Sequence, residues 1–192
     1  SLADALQRLH EEGVREVRVL PLYPQYSTTT SETVADVIAA HRSGMQVSML
    51  QDYHRDADWA AAVAASIRAH WDEHGRGERL LLSFHGLPQR VVDGGDPYAT
   101  QCEASAAAIA HELGMERADI ELCYQSRFGK GKWLQPSTDA RLHDLAAQGV
   151  RRIDVACPGF AVDCLETLEE IAMLEAERFR AAGGEVLRVI PC

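Results

Sequence analysis

An α/β fold built on a parallel sheet with crossover helices is the architecture the sequence predicts. Short aliphatic, β-branched runs alternate along the chain with stretches in which apolar residues recur every 3.6 positions. The helix-to-strand turns are short, whereas the segments after several strands are long and rich in Gly, Pro and aromatic residues. A 192-residue chain with 46% hydrophobic and 25% charged residues also has the material for one ordinary core or two small lobes.

The chain opens inside a helical pattern of Leu2, Ala5, Leu6 and Leu9. Strands are expected over 16–22, 46–50, 79–84, 120–124, 151–156 and 185–190, with helices over 31–41, 58–74, 97–113, 137–148 and 163–182. Asp96-Pro97 places a capping carboxylate before a proline at a first helical position, and Ser137-Thr138-Asp139 supplies capping oxygens after Pro136. Gly114, Gly149 and Gly183-Gly184 are helix stops. The run His74-Gly75-Arg76-Gly77 reads as a helix-to-strand turn. In open parallel sheets, ligands bind beyond the carboxyl ends of the strands. The long loops after Leu22, Phe84, Tyr124 and Ala156 are therefore expected to converge on one cleft.

Charge and cysteine usage exclude several functions. A formal charge of −10 repels phosphate backbones, so no nucleic-acid partner is expected. The five cysteines are odd in number and form no C-x-x-C pair, so neither a disulfide framework nor a zinc finger or ribbon is suggested, and a reducing cytoplasm is expected. No apolar run has the length of a membrane span, and the first residues lack the form of a signal peptide. The chain starts without Met inside a helix and stops just after a strand, so a fragment at both ends is expected.

His85 stands first among the chemical candidates, directly after Leu80-Leu81-Leu82-Ser83-Phe84 and before Gly86-Leu87-Pro88. An imidazole at a strand mouth can accept a proton or bind a metal near neutral pH. The plainer alternative is a strand-end histidine bonded to a loop carbonyl. Asp163, Glu166 and Glu170 follow the spacing i, i+3, i+7 and are expected along one helical face towards the same cleft. Acidic residues also favour a helix amino terminus for electrostatic reasons alone, so a structural reading stands beside the functional one. Imidazole with carboxylates suits a loosely held divalent cation such as Fe2+. Tyr23 to Thr30 and Gln125 to Trp133 supply aromatic and amide surfaces fit for a planar apolar ligand. Gly129-Lys130-Gly131-Lys132 lacks phosphate-loop spacing, and Ser83 with His85 lacks the nucleophile elbow of a hydrolase.

Five motifs in order then resemble the ferrochelatase family: Leu20 to Ser27, Ser83 to Pro88, Gly95 to Tyr98, Tyr124 to Gly129 with Trp133 to Pro136, and Cys157 to Glu170. The resemblance implies two doubly wound lobes flanking a porphyrin cleft, with 1–54 closing the first lobe and 55–192 building most of the second. It implies insertion of ferrous iron into protoporphyrin IX to form protoheme in heme biosynthesis, with Fe2+ as substrate and no resident cofactor. The Cys-Pro-Gly-Phe-Ala motif is similar to that of proteobacterial members, which favours protoporphyrin over coproporphyrin. By the same resemblance His85 and Glu166 are catalytic on opposite porphyrin faces. Metal is handled by His85, Glu166, Glu170 and Asp163, and Tyr23, Tyr26, Tyr98 and Trp133 surround the substrate. Cys164 departs from members that place a second histidine there. At most a weak membrane association is implied, and no oligomeric state follows. A cobalt or nickel chelatase of an early tetrapyrrole, and a non-catalytic porphyrin-binding fragment, are the alternatives.

Overall fold

A computed structural model describes all residues, Ser1–Cys192, and contains two parallel sheets. Helix α1 (Leu2–Glu11) leads to β1 (Glu16–Val19), α2 (Ser31–His41) and β2 (Gln46–Met49). β1 and β2 form a two-stranded sheet in which Val17 lies beside Val47 and Val19 beside Met49. Leu6, Ile38 and Met45 form the small core beneath it. β1 stops at Val19, short of the expected Leu22, because Pro21 has no N–H to give a ladder and the chain leaves the sheet there.

The second unit begins with α3 (Ala57–His74), then β3 (Arg79–His85), α4 (Gln89–Asp93), α5 (Tyr98–Leu113), β4 (Ile120–Gln125), α6 (Thr138–Ala147) and β5 (Arg152–Ala156). A π-helix (Glu166–Glu175) then runs into α7 (Ala176–Ala181), and β6 (Val186–Val189) ends the order. The four strands lie in the order β4-β3-β5-β6, all parallel. β3 is central, and its alternating side chains serve two cores. Leu80, Leu82 and Phe84 pack towards α3 and α5, and Leu81 joins Ile153, Val155, Ile171 and Phe179 on the other face. Helices cover both faces of this sheet, as the alternation of strand and helix patterns predicts. No helix is long and apolar enough to cross a membrane.

The expected helix over 163–182 needs correction. Regular structure starts at Glu166, and its first ten residues are a π-helix, with hydrogen bonds to the fifth rather than the fourth residue. The Thr167 hydroxyl accepts from the Cys164 N–H and lies 3.0 Å from Asp163 Oδ1, so a side-chain turn occupies the first expected helical turn. α4, five residues long, was not anticipated because one turn is too short to show a period.

The two units meet through the segment after β1. Gln25 Nε2 donates to Ser105 Oγ at 2.9 Å and Tyr26 N–H to Gln101 Oε1 at 2.7 Å, both on α5, while the Tyr53 N–H bond to the Pro24 carbonyl at 2.9 Å steadies that segment within the first unit. Gln25 and Ser105 are both fully buried, so water does not compete for this bond.

Candidate active site

A cleft of about 470 Å³ opens between the segment after β1 and the carboxyl ends of β3 and β5, within the usual range for small-molecule sites. Tyr23 and Thr30 line it from the first unit, with His85, Tyr98, Phe160 and Glu166 from the second. Three of the four loops expected to converge do so. The loop after β4 does not line this cleft, because β4 is the edge strand and β3 lies between it and β5. That loop lines two separate cavities instead.

His85 ends a buried strand whose pairing with β5 stops at Leu82, while on the β4 side Phe84 lies beside Tyr124 and His85 beside Gln125. Its Nδ1 is 2.7 Å from the Gly86 carbonyl oxygen, which can only accept, so Nδ1–H donates there and Nε2 is the ring nitrogen left for another partner. The loop-carbonyl bond and a reactive imidazole are thus compatible. The Phe160 ring is 6.4 Å away, centroid to centroid.

Glu166 lines the same cleft from the start of the π-helix. A hydrogen bond with the Cys164 thiol, its own backbone N–H and the nearby His85 imidazole hold its carboxyl below the usual range. It is therefore ionised at neutral pH. Gln125 Nε2 donates to its backbone carbonyl at 2.9 Å, linking β4 to the helix. Gln125 is buried and held in turn by the Ser83 hydroxyl at 2.9 Å.

The acidic row does not stay together. Glu170 accepts from the Ser126 N–H at 2.7 Å and the Ser126 hydroxyl at 2.6 Å, and lines a polar cavity of about 240 Å³ with Asp139, Glu175 and Arg178. Asp163 precedes the helix, is exposed and lies outside the cleft lining. Burial and then the Asp163 charge push the Cys192 thiol up to about 12, which places Asp163 on the chain-end side. No group of three or more His, Cys, Asp and Glu side chains converges to hold a metal. The single helical face expected for these carboxylates is lost because Asp163 is outside the helix and the π-helix changes the angular step from Glu166 to Glu170.

The aromatic expectations divide similarly. Tyr23 and Tyr98 line the cleft. Tyr98 is deeply buried, which raises its phenol well above the ordinary value. Tyr26 turns its hydroxyl to Glu32 Oε2 at 2.5 Å, a bond that pushes its phenol up to about 12. Trp133 lies beside Phe128 at 6.5 Å in a neighbouring groove, held there by the pairing of Pro88 with Trp133 and the Leu134 N–H bond to the Leu87 carbonyl.

A scan against family models matches the ferrochelatase model over residues 1–192. The chain belongs to the ferrochelatase family. It is 53% identical over 195 residues to the ferrochelatase of Stenotrophomonas maltophilia, covering 100% of this chain and 61% of that protein. To the ferrochelatase of Aeromonas hydrophila it is 47% identical over 195 residues, covering 60% of that protein. The chain thus spans about three-fifths of the length of these curated relatives. Among solved structures, SirB from Bacillus subtilis with Fe3+ matches with a TM-score of 0.65 and 13% identity, covering 99% of this chain and 69% of that one. At that identity the likeness shows a shared fold.

Within this ferrochelatase-family chain, motif reading did not single out Gln25, Thr30, Phe160 or Leu87 as individual parts of the cleft, although all line it. Gln25 left one signal, an amide between Pro24 and Tyr26 in a segment with two tyrosines.

Proposed function

We propose that the chain carries the metal-insertion centre of a ferrochelatase, a lyase that places ferrous iron in protoporphyrin IX to form protoheme in heme biosynthesis. The observation that carries this reading is the shared cleft, lined by His85 at the end of β3, with Nδ1 tied to a loop carbonyl, and by an ionised Glu166 on the π-helix. Family membership supports the same conclusion.

A porphyrin presents two N–H protons and two nitrogen lone pairs in one plane, so a metal enters only if the ring puckers and both protons leave. His85, whose Nδ1–H is tied to the Gly86 carbonyl, accepts the two pyrrole protons one after the other at Nε2 and releases each to solvent. Glu166, anionic and on the other wall, attracts the incoming cation and offers an oxygen ligand that is easily exchanged. Tyr23, Tyr98 and Phe160 supply flat apolar surface beside these groups. Glu170 and Asp163 serve the approach of the cation rather than its final position. Tyr26 and Trp133 support the loops around the substrate. Fe2+ is a substrate, no cofactor is resident, and the protein works in the cytoplasm. Residues 1–54 close a first lobe and 55–192 build the second.

Spectral titration tests the reading in a protein of the relatives' full length that carries these 192 residues. Adding Fe2+ without oxygen, or Zn2+, to bound protoporphyrin is expected to replace the free-base bands with those of the metalloporphyrin. A shifted but persistent free-base spectrum means binding without turnover and overturns the enzymatic reading.

A further inference from the structure

Asp96 holds the first unit to the second at the edge of the cleft. Its carboxylate is buried, yet it is used by neither the proposed proton transfer nor the metal approach. Oδ2 accepts from Ser27 Oγ at 2.9 Å, Thr28 N–H at 2.7 Å and Thr28 Oγ1 at 2.7 Å. Oδ1 accepts from the Tyr98 N–H at 2.9 Å. Both oxygens are therefore occupied as acceptors, one by the segment after β1 and the other by the start of α5. Because the Ser27 proton goes to Asp96, Ser27 Oγ is left to accept from the Thr29 N–H at 3.1 Å and from the Thr29 hydroxyl at 2.9 Å. One carboxylate thus orients Ser27, Thr28 and Thr29 together and ties them to Tyr98. Ser27, Thr29 and Tyr98 line the cleft.

We propose that Asp96 is a positioning residue that sets the width and shape of the cleft by clasping residues 27–29 onto the amino end of α5. The proposal rests on the porphyrin reading above for the identity of what fills the cleft, and on the clasp geometry for everything else. The clasp requires an acceptor at both ends, which only a carboxylate of this length supplies. In Asp96→Asn, the amide N–H₂ faces either the Thr28 N–H or the Tyr98 N–H, so one side of the clasp becomes donor against donor. In Thr28→Val the backbone bond remains and only the hydroxyl bond is lost. Charge-assisted bonds of this type are stronger than neutral ones, so the asparagine variant suffers more.

The test compares wild type, Asp96→Asn, Thr28→Val and Ser27→Ala by protoporphyrin titration, zinc-insertion kinetics and hydrogen exchange. Asp96→Asn is expected to raise KM for protoporphyrin about tenfold or more, with kcat on the bound porphyrin changed less than about threefold. Thr28→Val is expected to raise KM by a smaller factor. Exchange should quicken over residues 23–30 and leave β3 to β6 protected. Unchanged KM in a folded Asp96→Asn protein overturns the proposal, as does an equal loss of kcat and exchange protection throughout the sheet. If Asp96→Asn does not fold, Thr28→Val and Ser27→Ala decide: raised KM in either supports the clasp, and unchanged KM in both overturns it. A wild type that neither binds nor metallates protoporphyrin sinks the functional reading, and exchange over residues 23–30 then decides the clasp separately.

Discussion

His85 and Glu166 line one cleft but are held by opposite kinds of structure. His85 ends a strand paired on both sides, after a run of fully buried residues, and its ring is fixed by the next residue's carbonyl. Glu166 follows the exposed stretch Ala161-Val162-Asp163 and begins a π-helix secured by bonds from Gln125, Cys164 and Ser126. The base thus owes its place to core packing, and the acid to a few polar tethers. Packing transmits strain and resists change, whereas tethers can be removed singly.

The largest expected effect tests whether both groups act at all. His85→Ala and Glu166→Gln, in the full-length context, should each slow insertion by about 10²–10⁴-fold while far-UV circular dichroism and melting stay close to wild type. Near-normal turnover in either variant would break the pairing of the two walls.

Gly86→Ala probes the packed side. A Cβ there would lie 2.7 Å from the Gln125 carbonyl oxygen, and a backbone atom cannot move aside cheaply. Denaturant unfolding should show a loss of about 1–3 kcal/mol, with slower turnover because the Gly86 carbonyl orients His85. Unchanged stability would mean that β3 is less tightly held than its neighbours suggest.

Glu170→Gln probes the tethered side. Glutamine keeps one acceptor but loses the charge that binds the Ser126 N–H and hydroxyl, so stability should fall by about 1–2 kcal/mol. Insertion should fall less than in Glu166→Gln, since Glu170 lies outside the cleft lining. A loss as large as that of Glu166→Gln would join the two carboxylates in one function.

The smallest effect concerns acid. Burial pushes the Asp96 carboxyl up, but hydrogen bonds from Thr28, Tyr98 and Ser27 outweigh it and hold the folded value below the ordinary 3.8. Its stabilisation is complete above the unfolded value and is lost as pH falls through the lower folded value. Melting curves recorded below about pH 4 should therefore fall more steeply in wild type than in Asp96→Asn. Parallel curves would remove Asp96 from the acid response.

Much of the second unit was legible. The run Leu80 to Phe84 announces a strand buried on both faces, and β3 occupies it at the centre of the sheet. His85 at its end follows from the same pattern. The acidic segment was less legible, because i, i+3, i+7 spacing implies one face only if the chain is α-helical throughout. A threonine turn and π-type hydrogen bonding both violate that condition. Trp133 and Tyr26 show the same limit: residue type marks them as suitable for a flat ligand, but Glu32 and the Pro88 pairing turn them elsewhere.

By itself, the order of residues determined the alternating α/β class, the mouth of β3 and membership of the ferrochelatase family, because these depend on local periodicity and on short motifs. Only the tertiary structure decided which loops share a cavity, which of the three carboxylates lines the cleft with His85, and that Asp96 joins two segments 68 residues apart. Such partners are chosen by packing and by hydrogen bonds between distant positions, and no local pattern encodes that choice.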